Sequence, residues 1–271
     1  MVKAENIIGG RYQIVKLLGK GGFGETYLAE DRHLPGYPKC VVKKLLFRYC
    51  DKAKQLFERE AQVLYRLGEH PQIPFLFAYF EEKQYFYLVQ EFIDGLELNQ
   101  IIQEGKSLPE TQVISLMREV LEILVFVHQN KIVHRDINPK NIIRRHSDRK
   151  LVLIDFGAVK DVCQVDAQGQ TQLTVAVGTP GYIPDEQANG KPRLCSDIYA
   201  LGIMGIQMLT GVHPINFQED PNTGRIIWRN QAKIRPALAN ILDKMVHNDC
   251  RQRYLSAVEA LQDIEILATS G

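Results

Sequence analysis

The sequence predicts an α+β protein of two lobes, the first small and β-rich, the second larger and mainly helical. Three observations carry this reading. Short β-type runs crowd the first third of the 271 residues. One helical period, Lys52 to Leu67, interrupts them. After Gly95, apolar residues recur at helical spacing almost to the end. The lobes are expected over 1–92 and 93–271, joined near Glu91–Gly95, with a ligand cleft between them.

Each element has its own signal. Tyr12 to Leu18 alternates apolar and polar residues, glycines follow, and Thr26 to Ala29 is strand-like. Cys40-Val41-Val42 and Tyr85 to Val89 are further strands. Ser107-Leu-Pro-Glu110 reads as a capping box with proline in the first turn of a helix. Val113, Met117, Val120, Leu121 and Leu124 then mark that helix's buried face. Asp197 to Thr210 is almost wholly apolar, so it should run through the centre of its lobe. Leu238 to Val246 and Ala257 to Leu267 complete the helical part.

Composition removes several classes of function. A net charge of +1 gives no global field for nucleic acid or an anionic membrane, so neither is expected as a partner. Cys40, Cys50, Cys163, Cys195 and Cys250 are widely spaced and form no C-x-x-C pair. That argues against a zinc site or disulfide framework and suits a reducing cytoplasm. Met1 to Asn6 lacks the apolar core of a signal peptide, and Ala200 to Val212 is too short to span a bilayer.

The chemistry begins at Gly19-Lys20-Gly21-Gly22-Phe23-Gly24, preceded by Leu18. Glycines let backbone N–H groups approach phosphate oxygens without Cβ interference. A dinucleotide loop would need a helix next; Glu25-Thr-Tyr-Leu-Ala is strand-like, which leaves a phosphate-binding hairpin or a plain flexible one. At about 100° per residue, Glu60 falls among Leu56, Val63, Leu64 and Leu67 on one helix face, with Glu58 nearly opposite. A carboxylate in an apolar stripe needs a cation. Lys43 is the expected partner and Lys44 the bland alternative. Then comes His134-Arg135-Asp136-Ile-Asn138-Pro-Lys140-Asn141, an apolar run Leu151 to Ile154, and Asp155-Phe156-Gly157. Asp136 can accept or orient a hydroxyl proton, and Asn141 and Asp155 are hard oxygen ligands suited to Mg2+. Phosphoryl transfer needs little beyond in-line positioning and neutralised charge.

In this order and spacing the motifs resemble the eukaryotic-type protein kinase catalytic domain, from about residue 12 to 267. The likeness is to bacterial serine/threonine kinases, and Gly22-Phe-Gly-Glu-Thr-Tyr-Leu-Ala-Glu-Asp31 is cyanobacterial in style. The resemblance implies the bilobal kinase fold and transfer of the ATP γ-phosphate to serine or threonine hydroxyls of protein substrates. Gly19, Gly21 and Gly24 would cover the phosphates, and Lys43 and Glu60 match the strand lysine and its helix partner. Asp136 matches the catalytic aspartate, and Asn141 and Asp155 the ligands of Mg2+, for which Mn2+ could substitute. Gln90 falls at the gatekeeper position. Glu91 to Ile93 would bond adenine through their backbone, and Thr26, Val41 and Ile143 would sandwich the ring. Gly178-Thr179-Pro180-Gly181-Tyr182 resembles the substrate-seating loop in its serine/threonine form, with the Thr179 hydroxyl near Asp136. Glu186 would pair with a buried Arg253, and Asp197 would bond the catalytic-loop backbone.

The chain departs from the family at Asn138, where serine/threonine kinases carry a lysine that touches the transferred phosphate. Lys140 is expected to replace it. Thr26, Val41 and Pro184-Asp185 are milder departures. Arg135, expected to be buried, would await a phosphate on the loop, which implies autophosphorylation, in trans, at Thr174 or Thr171. The rival readings are a pseudokinase that binds ATP without transfer, supported by Asn138, and a small-molecule phosphotransferase, disfavoured by the Gly178–Tyr182 run.

Overall fold

The computed structural model describes residues 7–21, 24–45, 51–156, 164–165, 171–172 and 178–269, with backbone alone at 21, 51–57, 164–165 and 171–172. The chain divides into two compact units. Gly22, Phe23, Cys50, Gly157, Cys163 and Thr174 lie outside the described residues, as do the side chains of Leu56 and Thr171.

The first unit runs to Asp94 and is built on a six-stranded antiparallel sheet. Its strands are β1 (Ile7–Ile8), β2 (Tyr12–Gly21), β3 (Gly24–Asp31), β4 (Lys39–Leu45), β5 (Leu76–Glu82) and β6 (Tyr85–Glu91), in the order β1-β2-β3-β4-β6-β5. Helix α1 (Asp51–Leu67) packs on β5 and β6. Alternation sorts the side chains. Tyr12, Ala29, Cys40, Val42, Tyr87 and Val89 form one buried cluster. Val41 and Lys43, the intervening residues of β4, therefore face the other side of the sheet. β6 lies between β4 and β5, and residues 86–90 are buried on both faces. A register shift between Leu17 and Gly19 leaves Leu18 as the extra residue of a bulge in β2. β5 was not expected from the sequence. Its partner hairpin turns through Lys83 and Gln84, both with positive φ and neither a glycine.

The second unit, which begins at Gly95, is helical around a small sheet of β7 (Gly95–Glu97), β8 (Ile142–Arg145) and β9 (Leu151–Leu153). A separate antiparallel two-stranded pair, β10 (Gln164–Val165) and β11 (Thr171–Gln172), belongs to the first unit. The helices are α2 (Leu98–Ile101), α3 (Glu110–Gln129), α4 (Asp185–Ala188), α5 (Leu194–Thr210), α6 (Pro236–Met245) and α7 (Ala257–Thr269). α5 is buried along nearly its whole length. A Cβ on Gly202 would come within 2.8 Å of Met245 and Val246, and one on Gly205 within 2.8 Å of Leu242 and 3.0 Å of Met117. Those glycines let α3 and α6 close onto α5. Among the described residues no helix is long and apolar enough to cross a membrane.

Two boundary expectations are corrected. The capping box at Ser107 does not form: Pro109 is the N-cap and makes no side-chain cap. Glu110 instead accepts from the Arg235 N–H and side chain at 3.0 and 2.6 Å, so its carboxylate serves a contact distant in sequence. α5 starts three residues before Asp197, because the Ser196 hydroxyl accepts the Arg193 N–H at 3.0 Å and extends the helix backward.

Candidate functional site: a paired lysine and a catalytic loop

In the first unit the strand register places Lys43 opposite Thr26 and Leu88, and Val41 opposite Leu28 and Gln90. The Lys43 ammonium donates to Glu60 Oε1 at 2.9 Å. Glu60 is 2% exposed, and Leu64 and Leu67 beside it are buried. Lys44, on the alternate face, rests its ammonium 4.0 Å from the Tyr85 ring centre. Glu58 lies elsewhere on α1 and accepts from the Tyr79 hydroxyl at 3.3 Å. A buried ion pair with one partner removed leaves an uncompensated charge, so each of Lys43 and Glu60 fixes the other.

The glycines of the loop serve different needs. A Cβ on Gly24 would sit 2.4 Å from the Lys44 carbonyl, so β3 and β4 approach as closely as they do only with glycine there. A Cβ on Gly19 would meet nothing within 4 Å, which leaves its backbone open to a ligand. Lys20 pairs with Glu25 at 3.2 Å across the hairpin, and Glu25 also accepts from the Tyr27 hydroxyl at 2.6 Å. Gln90 and Ile93 are buried. The Glu91 N–H donates to the Phe75 carbonyl at 2.9 Å, so that amide is already committed.

In the second unit the catalytic run is suspended from Asp197. Its Oδ2 accepts the His134 N–H at 2.8 Å and contacts His128 Nε2 at 3.0 Å, and its Oδ1 accepts the Arg135 N–H at 2.9 Å. Asp197 is 1% exposed, and these donors are what satisfy it there. Arg135 adopts a φ of +70°, and Gln187 Nε2 donates to its carbonyl at 2.7 Å. Arg135 is half-buried rather than buried. Asp155 is also left-handed, at φ +59°. Non-glycine residues adopt that region at an energetic cost, and such strain collects at functional sites.

His134 ties these two strained points together. Its Nδ1 accepts the Asp136 N–H at 3.2 Å, so the ring proton sits on Nε2 and bonds the Ile154 carbonyl at 3.1 Å. The ring packs on Phe156, centroids 4.7 Å apart. Complete burial pushes the imidazole pKa down, which keeps the ring neutral in this tautomer.

Asp136 is the focus of the loop. Its Oδ1 accepts the Thr179 hydroxyl at 2.8 Å and its Oδ2 accepts Asn141 Nδ2 at 2.7 Å. Asn141 Nδ2 also bonds the Asp136 carbonyl at 2.8 Å. With the nitrogen end so occupied, the amide oxygen of Asn141 is the end left to face a cation, as a hard-oxygen metal site requires. Asn138, 2% exposed, donates to the Asp136 carbonyl at 3.0 Å and to Thr179 Oγ1 at 3.1 Å, while its Oδ1 accepts the Lys140 N–H at 2.9 Å. The Lys140 side chain is exposed. Ile143 is half-buried and pairs with Val152.

The loop after Thr179 is anchored by Glu186. Its Oε1 accepts from Arg253 Nη1 and from the Ser196 hydroxyl, both at 2.7 Å, and Oε2 accepts Arg253 Nη2 at 3.2 Å. Arg253 is 3% exposed and also donates to the carbonyls of Asn248 and His247. Gly181, at φ +88°, lies where a Cβ would meet Pro214 at 2.9 Å. The Tyr182 hydroxyl donates to Gln207.

Comparison with known proteins decides the family. The protein kinase domain family matches residues 12–264. The chain belongs to the protein kinase family. Serine/threonine-protein kinase B from Synechocystis is 45% identical over 269 residues, covering 96% of this chain and 47% of that protein. Serine/threonine-protein kinase PknA from Nostoc is 41% identical over 271 residues, 97% of this chain and 48% of that one. This kinase chain thus spans about half the length of these relatives. The crystal structure of the Mycobacterium tuberculosis PknI kinase domain shares the fold, with a TM-score of 0.71 at 23% identity over 98% of this chain and 99% of that one. Kinases of this family use ATP and a divalent metal ion and act on proteins.

Sequence reasoning paired Lys43 with Glu60, Glu186 with Arg253, and Asp197 with the catalytic-loop backbone; the structure brings each pair together. It missed His128, Ser196 and Gln187. The contacts of His128 and Gln187, and that of Ser196 with Glu186, have partners 10 to 69 positions away, which no local pattern announces.

Proposed function

We propose that this chain transfers the γ-phosphoryl group of ATP to serine and threonine hydroxyls of proteins. The observation that carries the reading is the Asp136 carboxylate, held by Thr179 on one oxygen and Asn141 on the other. In the first unit, the backbone from Leu18 to Gly24 receives the phosphates, and Lys43, held by Glu60, adds the positive charge. Thr26 and Val41 contact adenine beside Gln90, and the backbone of Glu91 to Ile93 hydrogen-bonds it. In the second unit, Ile143 contributes to the adenine site and Asn141 and Asp155 hold Mg2+. When bound, the metal neutralises phosphate charge.

Asp136 orients the substrate hydroxyl and takes its proton as the oxygen bonds to the γ-phosphorus and ADP leaves. Lys140 supplies the cation to the transferred group, and autophosphorylation falls on Thr174 or Thr171. The relatives named serine/threonine kinases support the acceptor type.

The test is transfer from labelled ATP in Mg2+ to a generic basic protein, with the modified residues read by mass spectrometry. Phosphoserine or phosphothreonine on the acceptor supports the reading. ATP binding without transfer would favour a non-enzymatic ATP-binding module instead.

A further inference from the structure

The second unit holds a cavity of about 700 Å³ that shares no lining residue with the catalytic run, between the loop 220–230 and the end of α6. We propose that this cavity binds a phosphate group carried on a serine or threonine of a protein segment, with Arg225, His247 and Lys244 as the residues that hold it. Only the choice of a phosphorylated protein rests on the kinase reading above, whose products belong to that class.

The loop is built to bring Arg225 against His247. Glu219 and Ile226 pair as an antiparallel bridge, and the Asp220 N–H donates to the Arg225 carbonyl at 2.8 Å. Asn248 Nδ2 donates to the Gly224 carbonyl at 2.9 Å and ties the turn to the segment after α6. Gly224 permits that tie: its φ is +65°, and a Cβ there would meet Asn248 Nδ2 at 2.7 Å. Arg225 Nη2 and His247 Nε2 then lie 3.3 Å apart. Both are donors. His247 Nδ1 accepts the Asp249 N–H at 3.1 Å, so the ring proton sits on Nε2, and a guanidinium has no acceptor. The two N–H groups need an acceptor from outside the chain, and an oxyanion supplies it to both.

The charge around them is uncompensated. The carboxylates of the cavity are already committed: Asp220 accepts the N–H groups of Asn222 and Thr223, each at 2.9 Å, and Asp243 accepts from the Trp228 indole at 2.8 Å and from Arg229 at 2.9 Å. Among the described residues Arg225 meets only the His247 ring, and the Lys244 ammonium lies 3.8 Å from the Tyr254 ring centre. Arg225 and Lys244 are exposed and His247 is half-buried, so a protein segment can reach all three. Donors from three side chains suit a tetrahedral dianion better than a planar carboxylate, which one arginine fork takes alone. Ile226, Ile227 and Val246 give the cavity an apolar wall, and its volume exceeds that of a bare phosphate. The site therefore fits a phosphate on an apolar-flanked chain rather than the free ion.

Trp228 is the only tryptophan of the chain and lines the cavity, so its fluorescence locates binding there. The test combines that signal with titration calorimetry for three probes: a pentapeptide with phosphothreonine between isoleucine and valine, the same peptide with plain threonine, and inorganic phosphate. The chains compared are wild type, Arg225→Gln, Lys244→Gln, Asp136→Asn and Arg32→Gln, the last removing one positive charge from an exposed site in the first unit. The phosphopeptide should bind wild type, Arg32→Gln and Asp136→Asn alike, at least about tenfold more tightly than either other probe. Arg225→Gln and Lys244→Gln should each weaken it by at least about fivefold. Lys244→Gln, on a helix, keeps the test decisive should Arg225→Gln disturb its loop. The proposal is overturned by no heat and no fluorescence change with the phosphopeptide, by equal binding of its plain twin or of inorganic phosphate, or by an Arg32→Gln loss as large as that of Arg225→Gln. Transfer from labelled ATP by wild type no faster than by Asp136→Asn would overturn the kinase reading instead, whatever the binding data show.

Discussion

The two units hold their functional groups by opposite means. In the first, one charge is balanced by one charge: Lys43 on a strand meets Glu60 on a helix, and sheet register does the rest. In the second, Asp136 is held by neutral donors from Thr179 and Asn141, and the loop around it hangs from the carboxylate of Asp197. An ion pair between two rigid elements fails all at once when either partner goes. A network of short neutral contacts fails by degrees, according to which member is removed.

That difference ranks the expected effects of mutation. Lys140→Ala should lower turnover by roughly 10²–10³-fold with little change in ATP affinity, less than loss of the Asp136 carboxylate itself, because it removes one cation from the transferred group. Steady-state kinetics with varied ATP checks this, and unchanged turnover would remove Lys140 from the mechanism. Glu60→Gln should leave the Lys43 ammonium unbalanced, lower stability by about 3 kcal/mol and misplace the phosphates. A urea melt and the KM for ATP report the two consequences separately.

Smaller effects separate the glycines. Gly24→Ala forces β3 from β4 and should cost about 1–3 kcal/mol in the same melt. Gly19→Ala should leave stability nearly unchanged, because its added methyl meets nothing. Equal losses at both positions would contradict the different roles assigned to them.

The smallest expected effect is a pH slope from His134. The buried ring is neutral when folded and its pKa is lowered, so below about pH 6.5 the unfolded chain binds the extra proton. Stability should therefore fall as pH drops below that value, by up to about 1.4 kcal/mol per pH unit. His134→Gln should flatten this slope, and an unchanged slope would assign it to other groups.

How much of this was legible depended on where each partner lay. The Lys43–Glu60 pair could be read because a carboxylate inside an apolar helix stripe demands a cation, and a strand lysine was at hand. The buried face of α3 followed from its spacing, whereas its start did not: Glu110 looked like part of a local cap and instead serves Arg235, far along the chain. β5 escaped because Phe77 and Tyr79 face outward and Lys83-Gln84 turn the hairpin without glycine. Asn138 was legible as a departure, but its meaning was not. Only the placement of Thr179 and of the Lys140 N–H shows an amide with its acceptor and both donors engaged.

The most direct test compares wild type, Asp136→Asn and Glu60→Gln for transfer of labelled phosphate from ATP to a basic protein in Mg2+. The account predicts phosphoserine or phosphothreonine with wild type, a loss of roughly 10³-fold or more with Asp136→Asn, and a smaller loss with Glu60→Gln. Phosphate transfer that survives Asp136→Asn unchanged would contradict it.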